Sequence, residues 1–221
     1  MLSKRLARIL DFISENDLVA DIGTDHGYLL DSCLNDKHVK FVQGIENKKG
    51  PFDRAFSNLS KYIEDGTAVL SLSDGLTELD PSINTVVIAG MGGELIAKIL
   101  ENDIEKAKRL DKLILEANSR VFELRQFLSK NHFEIIEEAI VYDHSKYYEI
   151  IQAKYNENSL ELSTKSCFFG PKLMKHQSAD FKDKWNKKLA EINEILKECP
   201  YLKTLNDVKI IIEEVLDDKS I

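Results

Sequence analysis

Five short apolar runs punctuate the first two thirds of the chain: Leu18-Val19-Ala20-Asp21-Ile22, Phe41-Val42-Gln43-Gly44-Ile45, Ala68-Val69-Leu70-Ser71-Leu72, Thr85-Val86-Val87-Ile88-Ala89 and Lys112-Leu113-Ile114-Leu115-Glu116. They are rich in β-branched residues and show no polar alternation, the pattern of parallel strands covered on both faces. Segments between them, such as 94–100 and 119–131, are long enough for crossover helices. Residues 132–153 predict two more strands turning at Asp143-His144-Ser145-Lys146. Repeated βα units followed by a β-hairpin predict an open, doubly wound α/β sheet.

Beyond about Asn156 the strand signals stop. Gly170-Pro171 breaks the chain once and Pro200 breaks it again. Between these breaks Phe181, Trp185, Leu189, Ile192 and Leu196 recur at helical spacing, and Val208, Ile211, Ile212 and Val215 repeat the seam. This half reads as a small helical hairpin or coiled-coil appendage. The expected division is a sheet domain over 1–155 and a helical domain over 156–221.

Composition narrows the class. With 43% hydrophobic and 31% charged residues in 221, a disordered or fibrous chain is excluded. No apolar run reaches the ~18–20 residues of a membrane span, and the cationic N-terminus lacks a following apolar core. Cys33, Cys167 and Cys199 are far apart, with no spacing that suggests a metal site or a disulfide framework. The expectation is a cytoplasmic, metal-free monomer with reduced thiols. Thirty basic against thirty-eight acidic side chains leave a formal charge of −8. A nucleic-acid partner would therefore need a local basic patch.

The densest chemistry lies in Ala20-Asp21-Ile22-Gly23-Thr24-Asp25-His26-Gly27-Tyr28-Leu29, which follows a strand and opens a helix. Gly23 and Gly27 permit a tight turn and a close backbone approach to a ligand. Asp25 stands where a dinucleotide fingerprint has its second glycine, and a carboxylate there repels a pyrophosphate. The loop favours a nucleoside ligand without phosphates and with a cationic or zwitterionic head, such as S-adenosylmethionine; a ligand-free structural turn is the plain alternative. Glu46, followed by Asn47, ends the second run, where an acid can accept from both ribose hydroxyls. Ser73-Asp74-Gly75 follows the third run, where an Asp can bind an adenine amino group or simply make an Asp-Gly turn. Ala89-Gly90-Met91-Gly92-Gly93 closes the fourth, either to admit a flat substrate or the methyl donor, or as a plain strand-to-helix turn. The candidate cofactor set is Asp21, Gly23, Thr24, Gly27, Glu46, Asn47, Ser73, Asp74, Gly75, Ala89, Gly90 and Met91.

These motifs, together with Ser3-Lys4-Arg5-Leu6, Gly50-Pro51-Phe52, Ile88 leading into the fourth motif, and Phe169-Gly170-Pro171, resemble the TrmK family of bacterial tRNA (adenine-N(1)-)methyltransferases over nearly the whole chain. The resemblance implies a class I (Rossmann-like) methyltransferase domain followed by a coiled-coil-like helical domain. It also implies S-adenosylmethionine as cofactor, tRNA as partner and adenine 22 as target. Two positions depart from the family's usual pattern: Glu116-Ala117-Asn118 stands where Gln-Pro-Asn is frequent, and Leu30 where proline is common.

For such a reaction adenine N1 already carries a lone pair, so catalysis is mainly positioning for in-line transfer. Asp25 is the first candidate for contact with the substrate or the methionine end, and His26 and Tyr28 follow, the tyrosine as a stacking surface. The alternatives are a capping Asp25, a capping or core His26 and a helix-packing Tyr28. The target nucleotide has to leave its stack or tertiary pair. Lys165, Lys172, Lys175, Lys182, Lys184, Lys187 and Lys188, with Lys4, Arg5 and Arg8, form the candidate RNA contacts; a solvated helix face is the competing reading. A methyltransferase for a small molecule or protein, a nucleotide-binding oxidoreductase and a non-catalytic RNA-binding protein are the competing functions. Asp25 argues against the oxidoreductase, and the intact cofactor motifs argue against the non-catalytic protein.

Overall fold

The computed structural model describes residues 2–217. The five apolar runs form β1 (Val19–Ile22), β2 (Val42–Glu46), β3 (Ala68–Leu72), β4 (Thr85–Gly92) and β5 (Lys112–Ser119), all parallel. The hairpin adds β6 (Phe133–Asp143) and β7 (Lys146–Tyr155), with β7 antiparallel to β5. The seven strands lie in the order β3-β2-β1-β4-β5-β7-β6, a doubly wound sheet carrying an antiparallel edge. Every residue of β1 and β2 is buried, which is why neither run alternates.

Both faces are covered. Val86 and Ile88 pack with Ile96, Leu100, Leu124 and Leu128, under α4 (Gly93–Asn102), α5 (Ile104–Lys108) and α6 (Val121–Lys130). Val87, between them in sequence, joins the opposite core with Ile9, Leu30 and Leu59, under α1 (Lys4–Leu10), α2 (Tyr28–Asp36) and α3 (Lys49–Glu64). Two boundaries differ from expectation. β4 continues through Gly92, so the glycine-rich motif is strand and not turn, and β5 runs on to Ser119, where a helix was expected to start.

The helical half comprises α7 (Thr164–Phe169), α8 (Pro171–His176), α9 (Ala179–Glu198) and α10 (Lys203–Asp217). Phe181, Trp185, Ile192, Ile212 and Val215 form its core, whereas Ile211, expected in the seam, is exposed. That core also takes in Ile140 of β6, so the helices pack directly on the hairpin. Polar burial ties the two together further. Arg125 of α6 is 1% exposed; its Nε donates to Glu138 Oε1 at 2.8 Å, its Nη2 to Glu149 Oε2 at 2.5 Å and its Nη1 to the Cys167 carbonyl at 3.3 Å. Lys184 of α9 bonds the other Glu149 oxygen, and Glu138 Oε2 accepts the Lys172 N–H at 2.8 Å. Gly170, at φ +87°, leaves no room for a side chain, since a Cβ there would lie 2.7 Å from the guanidinium. Among the described residues, no helix is long and apolar enough to cross a membrane.

Among the described residues, removing the central cation leaves buried Glu138 without a charged partner and Glu149 with Lys184 alone. Arg125→Met is expected to lower unfolding free energy by about 3–5 kcal/mol, measured by urea denaturation. A loss below about 1 kcal/mol would show that the network contributes little.

Candidate functional site

The parallel register aligns the carboxyl ends of the strands in one row: Ile22 pairs with Ile45 and Ile88, Glu46 with Leu72, and Ala89 with Glu116. Sheet order reverses beside β1, and a crevice opens outside that row, as the topology dictates. It encloses about 660 Å³ and is lined by Gly23, Asp25, Glu46, Asn47, Ser73, Asp74, Gly75, Ala89, Gly90 and Met91, with Arg5, Lys48 and Arg54. A smaller pocket of about 140 Å³ adjoins it. Asp21, Thr24, His26 and Tyr28 wall this pocket, which shares Arg5, Gly23, Asp25 and Ala89 with the crevice.

The first loop is built from left-handed residues. Gly23 (φ 79°), Asp25 (φ 45°) and Gly27 (φ 72°) turn the chain sharply, and the Gly23 N–H is held by the Ile45 carbonyl at 2.7 Å. A Cβ on Gly23 would lie 2.5 Å from the Met91 side chain. Gly27 lines neither pocket, contrary to the expectation that it contacts the cofactor. It is the N-cap of α2, and its missing side chain lets α2 approach Leu59 of α3. Asp25 caps nothing. Its Oδ1 accepts from Arg54 Nη2 at 2.9 Å, and more than half of its side chain is exposed. The rings of His26 and Tyr28 stack with centroids 5.2 Å apart and 4° between planes, leaving Tyr28 55% exposed.

On the next strands, Glu46 is buried and one of its oxygens accepts the Lys48 N–H at 2.9 Å, while the other makes no hydrogen bond within the described chain. Asn47 donates to Asp74 at 3.2 Å, which joins the loops after β2 and β3. The β4–β5 register skips Gly90, which stands at φ +78°. Side chains of β5 take over its pairing: the Gly90 N–H donates to Glu116 Oε2 at 2.9 Å and its carbonyl accepts from Asn118 at 2.7 Å. Glu116, Asn118 and Arg54 were not singled out from the sequence as site residues. An acid closing the otherwise apolar run Leu113-Ile114-Leu115 was the available signal.

The basic residues divide. Lys165 pairs with Glu214, Lys184 with Glu149, Lys187 with Asp183, Lys188 with Glu191, Arg8 with Asp11 and Arg5 with Glu116. Lys4, Lys172, Lys175 and Lys182 form no ion pair among the described residues. Because β7 runs antiparallel to β5, the hairpin tip projects at the crevice end of the sheet. The first half of α9 sits against that tip: Asp180 accepts the Tyr142 N–H at 3.1 Å, and Lys187 lies over the Tyr142 and Tyr147 rings. Among the described residues, no group of three or more His, Cys, Asp or Glu could hold a metal ion.

Asp21 carries the clearest electrostatic anomaly. Burial pushes its carboxyl from 3.8 up to about 6, with Glu46 adding, while the Thr24 hydroxyl and Arg5 oppose. Between those two values only the folded state holds the proton, so stability falls as pH rises through that window, and the loss is complete above it. Asp21→Asn is therefore expected to stabilise the protein by about 2–3 kcal/mol at neutral pH, with the gain vanishing below pH ~4. Denaturation curves at the two pH values check this, and an equal effect at both would refute it.

The chain was compared with known proteins. The family model described as tRNA (adenine(22)-N(1))-methyltransferase, TrmK, matches residues 19–219. The tRNA (adenine(22)-N(1))-methyltransferase of Bacillus subtilis (strain 168) is 31% identical, over 98% of this chain and 97% of its own length. The structure of Streptococcus pneumoniae Sp1610 in complex with S-adenosyl-L-methionine is similar at TM-score 0.88 and 32% identity, covering 98% of this chain and 100% of that one. That of M. capricolum TrmK with S-adenosyl-homocysteine gives 0.81 and 25%, covering 97% and 96%.

Proposed function

Since the chain belongs to the TrmK family of tRNA (adenine(22)-N(1))-methyltransferases, we propose that its crevice holds S-adenosylmethionine and that the smaller pocket receives the target base. The activity is methylation of adenine 22 of tRNA at ring N1. The observation that carries the reading is the convergence of Glu46, Asp74, the Gly23–Asp25 turn and the Ala89–Gly90 bulge on one cavity.

The residues present suit this cofactor. A ribose diol needs acceptors, and Glu46 offers a buried carboxylate with one oxygen uncommitted. The Asp74–Asn47 pair, flanked by Ser73 and Gly75, is the candidate for the adenine edge. Asp25 in the crevice, with Asp21 beside it in the adjoining pocket, suits an ammonium group and opposes a pyrophosphate. Of the crevice arginines, Arg54 is paired with Asp25, and Arg5 is held by Glu116 through one nitrogen. Bound there, S-adenosylmethionine supplies a methyl group activated on a sulfonium.

The chain's own contribution is positioning. Tyr28, backed by the parallel His26 ring and exposed at the smaller pocket, offers a stacking face for an adenine taken out of its tertiary contacts. N1 needs no base to free its lone pair. Methylation leaves positive charge on the ring, and Asp25, which lines both cavities, is the candidate to offset it through the oxygen that Arg54 does not hold. Lys4, Lys172, Lys175 and Lys182 are the cations left for tRNA phosphates, with the lysine face of α9 beside the hairpin tip completing the surface.

The activity is tested by incubating the protein with unmodified tRNA and labelled S-adenosylmethionine, then digesting and identifying the nucleoside. Label in 1-methyladenosine, lost when position 22 is changed, is the expected result. Glu46→Ala should weaken S-adenosylmethionine binding by roughly ten- to hundredfold in calorimetric titration; unchanged affinity in a folded variant would take Glu46 out of the site. Tyr28→Ala should lower tRNA turnover at least about tenfold without moving cofactor affinity, and Tyr28→Phe should retain most activity. Equal loss in both variants would mean that the hydroxyl matters and not the ring.

A further inference from the structure

Glu116 is fully buried at the carboxyl end of β5, one residue before the apolar Ala117. Its Oε2 accepts both Arg5 Nη1 at 2.5 Å and the Gly90 N–H at 2.9 Å, while its Oε1 has no hydrogen-bond partner. Burying a carboxylate with one oxygen unsatisfied opposes folding, so packing alone gives no reason for an acid here. What the acid does is fix a guanidinium. Arg5 is anchored from two further sides: its backbone N–H donates to Asp143 Oδ2 at 3.2 Å, and its guanidinium lies 5.4 Å from the Tyr148 ring centroid. Among the described residues, Nε and Nη2 of Arg5 make no hydrogen bond, and the side chain lines both the crevice and the smaller pocket. An arginine tethered through one nitrogen and open at the others presents a fork suited to an oxyanion.

We propose that Glu116 is a positioning residue that holds Arg5 as an oxyanion receptor at the junction of the two cavities. This rests on the crevice being the cofactor site. The oxyanion is a carboxylate or phosphate oxygen pair, from either the amino-acid end of the cofactor or the backbone of the target nucleotide.

The two sources separate with ligands that differ only at that end. S-adenosylhomocysteine carries the carboxylate, whereas 5′-methylthioadenosine keeps the nucleoside and sulfur and lacks the amino acid. Both are titrated calorimetrically into wild type, Arg5→Met, Glu116→Gln and the double variant, and tRNA KM and kcat are measured on the same proteins. If the cofactor supplies the oxyanion, Arg5→Met weakens S-adenosylhomocysteine about tenfold or more and leaves methylthioadenosine unchanged. If the nucleotide supplies it, neither ligand moves and tRNA KM rises by a similar factor. In both cases Glu116→Gln, which keeps a neutral acceptor and so loosens the hold on Arg5 without abolishing it, shifts the same constant in the same direction by a smaller factor. It then adds less than about twofold once Arg5 is gone. Glu116→Asp, shorter by one methylene, is the second variant should the first not fold, and it is expected to act in the same sense. The proposal is overturned if the Glu116 variant matches wild type, or if its effect is the same with and without Arg5. Failure of wild type to bind S-adenosylhomocysteine would instead overturn the crevice reading.

Discussion

Arg125, enclosed between Glu138 and Glu149, sets the relation between sheet and helices. Three charges out of water must be satisfied completely, and here the partners come from α6, β6, β7, the end of α7, the start of α8 and α9. Burial raises the Glu138 carboxyl, whereas at Glu149 Arg125 and Lys184 outweigh burial and hold the carboxyl low. Few placements of six elements meet that demand at once. Tyr148, next to Glu149, and Asp143, at the end of β6, are thereby fixed in turn, and both hold Arg5 over the crevice. A network remote from the loops after β1 to β4 thus shapes one wall of the crevice.

Local pattern carried much of the architecture. Apolar runs without alternation marked the five parallel strands, and helical spacing marked α9, because each signal is a property of neighbouring residues. The loops that line the crevice were legible for the same reason: glycines with acids directly after a strand leave little else to read. What escaped depends on distant partners. Arg5 and Glu116 are 111 positions apart and Arg54 and Asp25 are 29 apart, and nothing in a local window pairs them. Charge counted along the lysine run also ignores Glu149 and Glu214, which neutralise part of it from other elements. At Gly27 a packing glycine and a ligand-facing glycine look the same in sequence, and the structure shows Leu59 against it.

The site also shows where the chain accepts a penalty. Asp21 sits buried and near Glu46 with its carboxyl raised, an arrangement opposed by desolvation and by like charge together. Retaining an acid there makes sense if a ligand cation relieves both terms, which ties the electrostatics of β1 to the ligand more closely than to the core.

The turn from Gly23 to Gly27 has a consequence for how binding energy is divided. Three of its five residues are left-handed, one of them a carboxylate-bearing residue, and its backbone is hydrogen-bonded to β2 and packed against Met91 and Leu59. The entropy of ordering this loop is lost when the chain folds, not when a ligand arrives, so contacts made there are not discounted by further immobilisation. Changes in the loop will accordingly register in the melting curve as well as in the binding isotherm, and the two have to be measured together to tell a broken contact from a loosened hinge.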